Sequence, residues 1–320
     1  MEMSVSRALR AFKTKAAPEK RRARSADLSA RTRRIDVIAS RTGRRVSRGF
    51  GLAALALLAS MTAAAAQTSD LVSRATLRVC ADPADLPLSS DKGDGFENKI
   101  ADLLAKDLGV PVDYTWFPQA TGFYRMTLGM KRCDVVMGYV AAGEPVLNTN
   151  PYFKSAWTLV VKKGSPLDGV DSLSDERLKT AHLGVVAGTA PASYLARNGL
   201  IGLARPYALT VDRRYESPAE DMLKAIAAGE IDGGILWGPI AGYFANKAGE
   251  GAFTVTPLVK DQGFPPLTYR ITMGIRPNEL NWKHRLNEFI AKNQNEINKI
   301  LLDFHVPLLD EQNRPITAAE

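Results

Sequence analysis

Three histidines, His182, His284 and His305, are the whole imidazole complement of the 320-residue chain, and none stands in a nucleophile-activating or zinc-binding pattern. HExxH, GxSxG, a P-loop and GxGxxG are all absent, so catalysis is not expected. Carboxylates offer more. Asp82, Asp85 and the run "DKGDGFE" (91–97), closing on Glu97, gather acids in a short stretch. Their spacing does not make an EF-hand loop, and Asp94 is placed to cap the helix that follows, so no metal site is expected. Gly188-Thr189 falls at a strand–helix turn, where backbone N–H groups could meet an anion; a tight turn before Pro191 is the simpler account. The segment "IDGGILWGPIAGYF" (231–244) sets an indole, Trp237, where a strand gives way to a helix, with glycines on both sides.

Those side chains need a frame, and composition sets its outline. The chain is 45% hydrophobic and 24% charged, ordinary globular values. Its formal charge of +8 is unevenly spread. Residues 1–66 carry a net +11 and the remainder a net −3, so the body has no footprint for polyphosphate and nucleic-acid binding is not expected. "GFGLAALALLASMTAAAAQ" after the basic "RTGRRVSR" reads as a secretory signal, cleaved after Ala66. Cys80 and Cys133 are the two cysteines, and export leaves two readings: a disulfide, or two buried thiols on neighbouring strands.

The mature part alternates strands and helices. "LRVCAD" is a short apolar strand. Phe96, Ile100, Leu103, Leu104 and Leu108 make one face of a helix ending at Gly109. "VDYTWF" alternates as a half-buried strand, and "FYRMTLGMKR" reads as a short helix with Phe123, Met126 and Met130 inward. "CDVVMGYV" has the unbroken apolar character of a strand inside a parallel sheet. A second cycle follows: "HLGVVAG", a helix begun by Ser217, Pro218 and Glu220 as a capping box, "IDGGILWG", and a Pro-started helix. "YRITMGIRPN" returns as a strand before a long helix, Asn281 to Phe304. Two α/β units with a returning chain predict a two-lobed α/β fold of open, mostly parallel sheets joined by paired hinge strands. Lobe 1 would span 67–163 plus 267–320, and lobe 2 164–266. Ligands of such sheets sit at the carboxyl ends of strands, here the cleft between lobes, which hinge closure would cover.

The order "LRVCADPADLPLS…GFENKIADLLAKDLG…CDVVMGYV…NPYFKSAWTLVVKKG…LGVVAGTAP…GEIDGGILW" resembles a type 2 periplasmic solute-binding protein over nearly all of the mature chain. "RVCADPADLP", "YTWFPQATGFYRMTL" and "WGPIAGYFA" narrow the resemblance to the J-type (XoxJ/MxaJ-like) accessory proteins of methanol oxidation systems. The resemblance implies a periplasmic, non-catalytic protein. Its partner would be a quinoprotein methanol dehydrogenase, and with it a c-type cytochrome, served in assembly or activation. Pyrroloquinoline quinone would belong to the dehydrogenase, so no cofactor is expected on this chain.

Amino-acid receptors of the wider fold usually grip the ligand carboxylate with an arginine fork and its ammonium with a carboxylate. Here no Arg stands between Gly138 and Phe153, and Trp237 replaces the carboxylate. The strand ends offer Tyr139, Tyr152, Phe153, Trp237 and Tyr243, with Asp82 and Glu97 as nearby acids, and Trp116 and Gln119 also facing the cleft. Such a surface suits a protein contact or a flat organic ligand. Two further readings stay open: Trp237 and Trp116 packed inward as core, and an ABC-type receptor for an uncharged or aromatic small molecule.

Overall fold

The computed structural model describes residues 72–318 apart from 144 and 262, so the proposed leader lies outside the described residues. Strand β1 (Leu77–Ala81) runs parallel to β2 (Val112–Trp116) on one side and β3 (Val135–Val140) on the other. Helix α1 (Phe96–Leu108) links β1 to β2 and buries Phe96, Ile100, Ala101, Leu104 and Ala105 against the sheet. The four-residue helix α2 (Phe123–Met126) stops where the Thr127 hydroxyl bonds back to the Phe123 carbonyl. Met130, expected inward, is therefore left exposed, and Leu128 takes the buried place.

Strand β4 (Phe153–Lys162) then crosses between two sheets. Phe153–Ala156 pair antiparallel with β9 (Thr268–Ile275), which also borders β3. From Trp157 onward β4 pairs instead with β7 (Gly233–Trp237), and from Thr158 also with β8 (Phe253–Pro257). The second sheet continues through β5 (Leu183–Val186), parallel to β7, and β6 (Arg205–Tyr207). The strand passes from one sheet to the other at Trp157. Its N–H bonds to Leu267 and its carbonyl accepts from Leu258, so the crossing is held on both sides.

The second lobe is covered by α3 (Ala190–Arg197), α4 (Pro218–Ala228) and α5 (Gly238–Ala248). The Ser217 hydroxyl caps α4 by accepting from the Glu220 N–H, but Glu220 turns to Lys247 on α5 at 2.9 Å instead of closing a capping box. Helix α6 (Leu280–Asp303) returns to the first lobe, burying Leu286, Phe289, Ile290, Ile297 and Leu301 at helical spacing. Each such side chain contributes roughly 1.5–3 kcal/mol by leaving water. Cys80 and Cys133 are joined by a disulfide between the start of β3 and β1, settling the pair as a bond rather than free thiols. Close packing also explains the glycines around Trp237: a Cβ at Gly242 would stand 1.8 Å from the His305 carbonyl oxygen.

Candidate functional site between the lobes

Asp82 follows the end of β1 and is 3% exposed. One of its oxygens accepts from the Ala84 N–H at 2.9 Å, and the other from the Gln119 N–H at 2.7 Å. That second oxygen also receives the Arg213 guanidinium at 2.9 Å, and Arg213 reaches Asp85 at 3.2 Å. Arg213 belongs to the loop before α4, in the second lobe, so these pairs tie the lobes together. The carboxylates are buried but the Arg213 side chain is 36% exposed, so solvent screens the pairs and they hold geometry more than they add stability. Burial, only partly offset by Arg213, pushes the Asp85 carboxyl up to about 6.

Glu97 stands in the first turn of α1. The helix starts at Gly95, not at Asp94 as expected: Asn98 accepts from the Gly95 and Ser90 N–H groups, while the Asp94 N–H bonds to Ser90. This start docks α1 under residues 87–90, with the Glu97 N–H on the Leu88 carbonyl at 2.9 Å, and turns the Glu97 carboxyl toward β3. Gly138 makes room for it: a Cβ there would lie 2.1 Å from Glu97 Oε1. No donor among the described residues reaches this carboxyl. Burial first, then the charges of Asp85 and Asp82, push it up to about 8.

Glu97 lines a cavity of about 350 Å³ walled mainly by carbon, with no lysine, arginine or histidine among its lining residues. Its far wall is aromatic. Trp237, the last residue of β7, lies opposite Trp157 in strand register. The two indoles meet edge to face at 6.1 Å, and Trp237 meets Tyr269 likewise at 5.8 Å, arrangements that suit the ring quadrupoles. Trp157 and Trp237 also border a second cavity of about 590 Å³, whose lining is strongly charged and includes Asp85 and Arg213. The cleft is thus divided by two indoles into a mainly apolar half and a charged half.

Of the residues expected at the cleft, Glu97, Gln119, Tyr139, Phe153 and Trp237 line the small cavity, Thr189 lines the large one, and Asp82 sits at the seam. Tyr152, just before β4, is turned away: it is buried in the first core, its hydroxyl donates to the Met137 carbonyl at 2.8 Å, and its ring meets Phe153 edge to face at 5.0 Å. Tyr243 stacks on Phe304 at 6.1 Å, on the face of α5 that meets the end of α6. Trp116 stacks on Tyr114 at 4.5 Å and packs against the first core. Gly188 adopts φ of +76° in an exposed turn, and the Thr189 hydroxyl donates to the Val186 carbonyl. Sequence reasoning missed Trp157, Tyr269 and Arg213, and it named Asp85 only among the acids weighed for a metal. The first two arrive through the hinge strands, whose registers are long-range. Arg213 lies in "VDRRYES", with no motif around it.

Two α/β lobes joined by crossing strands, with the site at the seam, define the type 2 periplasmic binding protein fold. No family model matches the chain. Protein MoxJ of Methylorubrum extorquens is 31% identical over 285 residues, 82% of this chain and 94% of that one. The chain therefore belongs to the MoxJ family. The crystal structure of the periplasmic binding protein XoxJ from Methylobacterium extorquens is 39% identical over 73% of this chain and all of that one, with a TM-score of 0.62. MxaJ from Methlophaga aminisulfidivorans, 21% identical with a TM-score of 0.62 over the same shares, shows the same fold.

Proposed function

We propose that this chain is a non-catalytic periplasmic accessory protein that assists assembly or activation of a quinoprotein methanol dehydrogenase, bound through the interlobe cleft. The observation that carries the reading is the lack of a grip for a free amino acid. Of the arginines lining the large cavity, Arg213 is engaged by Asp82 and Asp85 and Arg214 by Asp212, and the small cavity has an acid but no cation to set against it among its lining residues. A zwitterion entering there would set its own carboxylate against a mainly apolar wall with no basic partner on the lining, which is unfavourable. Membership of the MoxJ family supports the same reading. So does the mouth of the large cavity, where Tyr215 is 81% and Leu209 58% exposed on its lining; bulky apolar groups held in water are a mark of protein contact.

Deletion of the gene in its own host tests this. Dye-linked methanol dehydrogenase activity in the periplasm should fall and return with the wild-type gene, and return only partly with Trp237→Ala. Full activity in the deletion strain would rule the reading out. An ABC-type receptor role would instead give a large thermal shift with one uncharged solute, about 2.7 kcal/mol at a hundredfold excess over Kd.

A further inference from the structure

The Glu97 cavity has features that a protein-docking groove does not need. A carboxyl that is 6% exposed lines it with no hydrogen-bond donor or counter-ion among the described residues. Asp82 and Asp85, its acidic neighbours, have Arg213 between them; Glu97 has none. Three rings, Trp157, Trp237 and Tyr269, stand on the same cavity, with Trp237 in edge-to-face contact with each of the other two. Gly138 holds open the space beside Oε1. An isolated buried acid is costly, and the positions around it that could have neutralised it carry aromatic faces instead.

We propose that this cavity is a binding site for a small organic ammonium ion, with Glu97 as its counter-ion and the Trp157, Trp237 and Tyr269 rings as its cage. Aromatic faces attract cations through the ring quadrupole, most strongly where water is excluded. A carboxylate within the same cavity adds a charge-assisted hydrogen bond for an N–H cation, or direct ion pairing for a quaternary one. The mainly apolar wall favours an alkyl body over a hydrated metal ion, and no three metal-ligating side chains converge among the described residues. The absence of any basic residue on the lining excludes a ligand that carries its own carboxylate. At about 350 Å³ the space matches the small end of ligand pockets. Burial and the neighbouring acids push the Glu97 carboxyl up, and an arriving cation would reverse that.

The inference concerns the isolated protein and stands apart from the dehydrogenase reading, so either can fail alone. Mature protein is titrated with choline and n-butylammonium, and in parallel with the neutral isosteres 3,3-dimethylbutan-1-ol and butan-1-ol, following tryptophan fluorescence and Tm. The cations should bind about tenfold or more tightly than their isosteres, a difference of about 1.4 kcal/mol. Glu97→Gln should abolish that preference, and leucine, a zwitterion, should bind more weakly than n-butylammonium. Equal binding of alcohol and ammonium by the wild-type protein would overturn the proposal without recourse to any variant. So would unaltered ammonium binding by a folded Glu97→Gln protein, or leucine binding as tightly as the amine.

Discussion

Replacing Glu97 with Gln keeps the shape of the side chain and removes its charge. In the folded protein the carboxyl is pushed from an ordinary 4.5 up to about 8. Because the folded value lies above the unfolded one, the native state keeps a proton that the unfolded chain has already lost. Stability is therefore full below about pH 4.5, declines as pH rises toward 8, and levels off beyond. At about 1.4 kcal/mol per pH unit, the loss is roughly 3 kcal/mol at pH 7 and roughly 5 kcal/mol above pH 8. Asp85 titrates in the same direction, near 6, but is present in both proteins and largely cancels in the difference. Urea unfolding of wild type and Glu97→Gln, without ligand, from pH 4 to pH 9 reads the effect. The two should agree near pH 4 apart from a constant offset. The variant should then gain by a margin that grows to pH 8 and stops. A pH-independent difference would refute the reasoning, since it would mean that water or a donor already satisfies the carboxyl.

Other perturbations follow from the same contacts. Arg213→Ala removes the tie between lobes and leaves Asp82 and Asp85 unpaired; a cost of about 1–3 kcal/mol is expected, with a larger radius of gyration by small-angle scattering. Unchanged scattering would contradict the tie. Replacing both Cys80 and Cys133 by Ser opens a loop of sequence separation 53, and the chain-entropy relation gives a loss of about 4 kcal/mol, to be read from denaturant midpoints under non-reducing conditions. Asp134→Asn takes away the carboxylate that pairs with Arg276 at 2.7 Å and Arg78 at 2.6 Å. With Arg276 only 7% exposed, a loss of about 3 kcal/mol is expected, measured the same way.

The architecture was readable because each element announces itself locally. Ile100 and Leu104 fall a helical turn apart, Val135–Val140 form an unbroken apolar run, and Ser217-Pro218 starts a helix. The site was readable only where its residues sit at the end of such an element. Glu97 opens α1 and Trp237 closes β7, so both could be named from the sequence. Trp157 and Tyr269 come together through strand pairings across about a hundred residues, and no local pattern encodes which way a hinge strand turns its faces. Tyr152 and Tyr243 show the converse. Each sits beside a site element, yet the bond of the Tyr152 hydroxyl to the Met137 carbonyl and the stacking of Tyr243 on Phe304 hold them in packing. Arg213 lies in a loop whose chemistry is evident only once the second lobe faces Asp82.

Direct titration of the purified mature protein with purified quinoprotein methanol dehydrogenase, cofactor-free and cofactor-loaded, by calorimetry tests the accessory role most directly. Saturable binding of the cofactor-free enzyme is expected, with Kd of about 1 μM or tighter and weakened by Trp237→Ala. Absence of heat and of co-elution with either form, from a dehydrogenase encoded by the same host, would contradict it.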